Sequence, residues 1–267
     1  MFNLKVLSRE VTEDVLKMPE VIDTVREVYQ LKAKGDTTVF PLVFHEFEPG
    51  VADMDIKSGW LKGSDIFGLK VVSWFGDNAD KGLPALIGTI MVMDAATGAP
   101  IGILDGSHIT GIRTGAAGAI GAKALARENS ETLMVVGAGH VATFQVAATL
   151  MLFPRLKKVY VYDGLSMENA EKFAASMPDT LKSSFDYDAC GVSFEAVADL
   201  PKATGESDII ITVTPSHTPI IQKEWVKAGS ISSIGSDMSG KEEIDPEIFA
   251  DARVFTDDTA VYQRRRD

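Results

Sequence analysis

Apolar residues recur at helical spacing between Pro19 and Lys34. Val21, Ile22, Val25, Val28 and Tyr29 share one face there, and Gly35 supplies a stop. A shorter helix is predicted from Ser8, with Glu10 and Glu13 offsetting the positive helix end. From Phe40 the period changes. Phe67 to Trp74 and Ile87 to Met93 predict strands, Asp94 to Gly98 a hairpin turn, and Ile101 to Leu104 the returning strand. The first ~110 residues thus predict an α+β unit with a mostly antiparallel sheet.

A helix rich in alanine and glycine is predicted next, from Thr114 to Arg127, as a closely packed connector. After Glu131 the pattern alternates. Leu133–Val136, Val159–Tyr162, Asp208–Val213, Ile231–Ile234 and Arg253–Phe255 predict strands, and His140–Phe153 and Met167–Ser176 predict helices. Such alternation implies a parallel sheet with helices on both faces, and hence an α/β fold class.

Composition narrows the function classes. The 267 residues carry 26 basic and 38 acidic side chains, a formal charge of −12. Nucleic-acid binding would call for the opposite sign. A small anion needs only a local cluster of donors, so acidity leaves such a ligand open. The one cysteine, Cys190, can form no internal disulfide, which fits a reducing cytoplasm. The N-terminus opens no apolar signal region, and runs such as Leu83 to Met93 are too short for a membrane span. Histidines at 45, 108, 140 and 217 lack zinc-site spacing, so no metal is expected.

The strongest motif is Val135-Val136-Gly137-Ala138-Gly139-His140-Val141-Ala142, a GxGxxA form of the dinucleotide fingerprint. Gly137 permits a tight turn, Gly139 admits a pyrophosphate, and Ala142 lets helix and strand pack closely. The motif follows an apolar strand and opens a helix, which is the context it requires. The next strand ends in Asp163, 163 − 139 = 24 residues beyond Gly139. That is near the ~20 expected of an acid that binds ribose hydroxyls. Asp163 would repel a 2′-phosphate, which favours NAD over NADP. A glycine turn and a solvated aspartate are the alternative.

Three further residues have chemistry to offer. Lys70, in an apolar strand, is either an edge-strand charge or a cation facing a pocket. Arg113, just before the connector helix, can hold a carboxylate or phosphate through two hydrogen bonds, or form a surface ion pair. Asp237, at a strand's carboxyl end, can act as a general base or as a turn residue.

In order along the chain, Phe67-Gly-Leu-Lys70-Val-Val-Ser, Gly82-Leu-Pro-Ala85, Leu104-Asp-Gly106, Ile112-Arg113-Thr114-Gly-Ala-Ala, Val136-Gly-Ala-Gly139, Asp208-Ile-Ile-Ile-Thr-Val-Thr214 and Gly235-Ser-Asp237 resemble the ornithine cyclodeaminase and μ-crystallin family. The resemblance covers roughly residues 40 to 258. It implies an α+β substrate-binding and dimerisation domain over 1–113, a Rossmann-type NAD-binding domain over 114–260 and a homodimer through the first domain. It makes Asp237 the catalytic acid/base and Lys70 a catalytic and carboxylate-binding residue. Arg113 would bind the carboxylate and approach the cofactor. His140, Val141, Asp163, Thr214, Ile234, Gly235, Ser236 and Lys241 would contact NAD.

Departures from the family pattern are visible. Ala85 stands where threonine is frequent, and Leu42 stands where an arginine is frequent, which brings Lys57 forward as a carboxylate ligand. The tail 261–267 is short, and a C-terminal segment that folds back onto the first domain is expected to be missing. The resemblance implies NAD-dependent chemistry at the α-carbon of a small amino acid, with ornithine cyclodeaminase first. Alanine dehydrogenase and a ketimine or cyclic-imine reductase are the alternatives within the family, and a cofactor-bound binding protein of μ-crystallin type lies outside enzymology. Partners would be a small amino or imino acid and a second copy, with no nucleic acid or membrane.

Overall fold

The computed structural model describes residues 3–258 apart from Ala228 and Ser239, so the tail 261–267 lies outside the described residues. The chain divides into two compact units, Met1–Arg113 and Thr114–Asp267.

In the first unit, β1 (Lys5–Leu7) leads into α1 (Arg9–Val15) and α2 (Met18–Lys34). Met18, Val21 and Ile22 are the buried residues of α2, and Gly35 ends the helix with φ 80°. The strands are β2 (Thr37–Val39), β3 (Val43–Glu48), β4 (Ala52–Leu61), β5 (Ile66–Phe75), β6 (Leu86–Asp94) and β7 (Pro100–Asp105). They form one sheet in the order β1-β7-β6-β5-β4-β2, with β3 also paired to β4. All pairs are antiparallel except β1 with β7. The β6–β7 turn is built as the sequence predicts: Asp94 Oδ1 accepts from the N–H groups of Ala96 and Thr97 at 3.1 and 2.7 Å.

The small-residue helix α3 runs Ser107–Leu125, so it starts earlier than Thr114, and Arg113 lies inside it rather than before it. Asp105 Oδ1 explains the early start by accepting from Ser107 N and His108 N at 3.1 and 3.2 Å. The prediction missed this because Thr110 and Gly111 are weak helix formers.

The second unit continues with β8 (Thr132–Val136), α4 (His140–Leu152), β9 (Lys158–Tyr162), α5 (Met167–Phe185), β10 (Ser193–Ala196), α6 (Leu200–Glu206), β11 (Ile209–Thr212), β12 (Ser230–Ser233) and α7 (Ile248–Asp251). Its sheet is wholly parallel, in the order β10-β9-β8-β11-β12. Every residue of β11, and all of β8 beyond Thr132, is buried, as expected for strands covered on both faces. Met134 and Val136 pack with Leu200 and Ala203 of α6 on one face.

Two predicted boundaries need correction. α5 passes through Pro178 and ends at Phe185, not Ser176. A mid-helix proline costs about 3 kcal/mol, but Met177 and Leu181, one turn apart, are both buried and hold the helix on. Arg253–Phe255 is not a strand. The four short or exposed strands β1, β2, β3 and β10, together with α6, carry too few periodic residues to be read from sequence.

Candidate active site

The parallel sheet reverses its winding between β8 and β11, and ligands of such sheets sit outside the carboxyl ends at that point. Gly137 leaves β8 with φ 107°, and a Cβ there would lie 2.8 Å from Val213 O, so the turn requires glycine. Gly139 is the N-cap of α4, and a Cβ there would meet nothing within 4 Å. The space in front of it is open, as a pyrophosphate would need. His140 and Val141 form the first turn of α4, and the His140 ring meets Phe144 edge-on at 5.0 Å.

Asp163 follows β9 and is half-buried. Its Oδ2 accepts from Ala138 N at 3.2 Å, inside the glycine loop, and its Oδ1 accepts from Leu165 N and Ser166 N at 3.0 and 3.1 Å. The structure thus brings together the loop and the acid that the 24-residue spacing relates. Thr214, Ile234, Gly235, Ser236 and Asp237 follow the carboxyl ends of β11 and β12. Asp237 Oδ1 accepts from Lys241 Nζ at 2.8 Å, so the expected base and an expected cofactor contact form an ion pair here.

In the first unit, Lys70 lies on β5, an inner strand, so it is not an edge-strand charge. Its direct register partner on β4 is Lys57. Like charges so opposed are destabilising unless something answers them. Lys57 Nζ donates to Asp55 Oδ2 at 2.9 Å, and Lys70 Nζ donates to Thr110 Oγ1 at 3.0 Å. The pair offers two ammonium groups on one sheet face, a chemistry suited to a carboxylate. Arg113 is exposed on α3.

Sequence reasoning missed Thr110, Asp55 and Glu243. Glu243 is buried and accepts from Thr212, Thr214, Ser233, Gly235 and Ser236. It stands beside Glu242 in a charged run, and no local signal separates the two.

Comparisons with known proteins agree with this architecture. The profile of the ornithine cyclodeaminase/mu-crystallin family matches residues 3–265. An alanine dehydrogenase of Archaeoglobus fulgidus is 35% identical over 254 residues, covering 95% of this chain and 73% of the relative. A solved archaeal alanine dehydrogenase dimer with bound NAD superposes with a TM-score of 0.83 at 33% identity, covering 94% of this chain and 73% of that one. Thermococcus litoralis Δ1-pyrroline-2-carboxylate reductase, solved with NADH and L-proline, gives 0.81 at 31% identity, covering 91% and 72%.

Proposed function

The chain belongs to the ornithine cyclodeaminase/mu-crystallin family, and from that premise we propose that it binds NAD and works at the α-carbon of a small amino or imino acid. The observation that carries this reading is the glycine loop 137–139 at the sheet's switch point, with Asp163 fastened to it. There Asp163 can accept from the adenosine ribose hydroxyls, and its charge disfavours a 2′-phosphate. His140, Val141, Thr214, Ile234, Gly235, Ser236 and Lys241 complete the cofactor's surroundings.

The oxidised cofactor, when bound, supplies a hydride acceptor and the reduced one a donor. The remaining work falls to side chains of the chain. Lys70 and Lys57 hold the substrate carboxylate, and Arg113 adds a planar pair of donors. Fixing the carboxylate fixes the direction of the α-hydrogen. Asp237 takes a proton from the α-ammonium, because hydride leaves carbon only when the nitrogen has a lone pair to form the imine. In the reductive direction the same aspartate returns that proton.

Cyclodeamination of ornithine and dehydrogenation of a simple amino acid share this first oxidation. They diverge only where a second amine on the substrate attacks the imine. A substrate panel therefore decides. Proline and ammonia from L-ornithine with no net NADH marks the cyclodeaminase. NADH formed from L-alanine, or consumed with a cyclic imino acid, marks the dehydrogenase or reductase. NAD binding with no turnover on any of these would replace the enzyme reading with a cofactor-bound binding protein.

A further inference from the structure

Glu243 has no part in the chemistry above, yet its side chain is wholly buried, at 0% exposure. A buried carboxylate is costly unless its acceptor sites are filled. Here Oε1 accepts from the N–H and hydroxyl of Thr214 at 2.6 and 2.9 Å. Oε2 accepts from the hydroxyls of Thr212 and Ser233 at 2.8 and 2.9 Å, and from the N–H groups of Gly235 and Ser236 at 2.8 and 3.1 Å. Thr212 and Thr214 stand at the carboxyl end of β11, and the other three at that of β12. One side chain thus ties two strand ends into a single rim. Gly235 closes the packing, since a Cβ there would collide with the Thr214 main chain and come within 2.6 Å of Glu243 Oε1.

The rim has a defined place relative to a dinucleotide. The loop after β8 suits the pyrophosphate, and Asp163 after β9 suits the adenosine ribose. The other half of the molecule then extends to the opposite side of β8, over the ends of β11 and β12. We infer that Glu243 is a positioning residue for the nicotinamide ring of the cofactor, acting through the main chain at Thr214, Gly235 and Ser236. The inference rests on the NAD reading above. Glu243 is not itself the base, because it is buried and its oxygens are occupied by the rim.

The test compares NAD+ with ADP-ribose, which lacks only the nicotinamide, by titration calorimetry on the whole chain. Glu243→Gln puts an amide N–H2 where only acceptors fit and leaves rim donors unpaired. NAD+ affinity should fall about tenfold or more, with ADP-ribose changing by less than about twofold. Glu243→Asp keeps the acceptors on a shorter arm and should fall between. Ser233→Ala removes one donor, keeps the carboxylate, and carries the same comparison if Glu243→Gln does not fold; NAD+ should weaken about two- to fivefold. A staple of the fold alone would not single out the nicotinamide ring. Parallel losses for both ligands, or no loss for NAD+, would therefore overturn the assignment. If the unaltered chain binds neither molecule, the NAD reading itself fails and the positioning role fails with it.

Discussion

At Asp163 a single carboxylate serves the fold and, on the proposed reading, the cofactor. Three main-chain N–H groups donate to it, and on that reading its remaining acceptor capacity would take the ribose hydroxyls. Asp163→Asn retains one acceptor oxygen and removes the charge. NADH should bind the unaltered chain more tightly than NADPH, and the asparagine should narrow that gap by about 1–3 kcal/mol. Fluorescence titration measures both; an unaltered chain that prefers NADPH refutes the role. On the proposed reading Asp237 and Lys70 have different shares of the chemistry. Asp237→Asn keeps shape but cannot take the ammonium proton, so kcat should fall by roughly 10²–10⁴ with NAD affinity nearly unchanged. Lys70→Met should chiefly raise KM. It also removes one of two directly opposed cations, so thermal unfolding should show no large loss of stability. If Asp237→Asn abolished NAD binding while slow turnover persisted at saturating cofactor, the aspartate would be a cofactor ligand instead.

The two glycines of the loop between β8 and α4 are needed for different reasons. Gly137 is required by the backbone: its φ is 107°, and Val213 O crowds the Cβ position. Gly137→Ala should destabilise the second unit by about 1–3 kcal/mol. Gly139 has an ordinary φ of −88° and open space before it. Gly139→Ala should change stability by less than about 1 kcal/mol, yet a methyl in the path of the pyrophosphate should weaken NAD at least about tenfold. Calorimetric unfolding paired with NAD titration separates the two effects. A Gly139→Ala protein that binds NAD normally would place the pyrophosphate elsewhere.

For the whole molecule, the first unit leaves Val39, Leu42, Val43, Phe44 and Phe47 exposed on or beside β2 and β3. Clustered exposed apolar side chains mark an interaction surface. The chain should sediment as a homodimer at micromolar concentration, in keeping with the dimeric archaeal relative. Leu42→Asp should shift it toward monomer without unfolding the second unit. A clean monomer of the unaltered chain would refute this role for the surface. No helix of the described residues is long and apolar enough to cross a membrane.

The chain's own pattern determined the parallel sheet, the glycine loop and its relation to Asp163. These depend on short-range facts: buried strands read as apolar runs, and tight turns need glycine. It also brought out Lys70 as a cation among apolar neighbours. What it left open depended on partners distant in sequence. Lys70 is an inner-strand residue opposed to Lys57 only because β4 and β5 pair in that register. Arg113 is helical because Asp105 caps the turn before it. Met177 and Leu181 override a proline because their face of α5 is buried. Glu243 differs from Glu242 only through donors on and just after β11 and β12, 8 to 31 residues earlier, which the fold collects around it. Hydrogen bonds and register act across space, and a local pattern of polar and apolar residues carries no record of who will stand opposite whom.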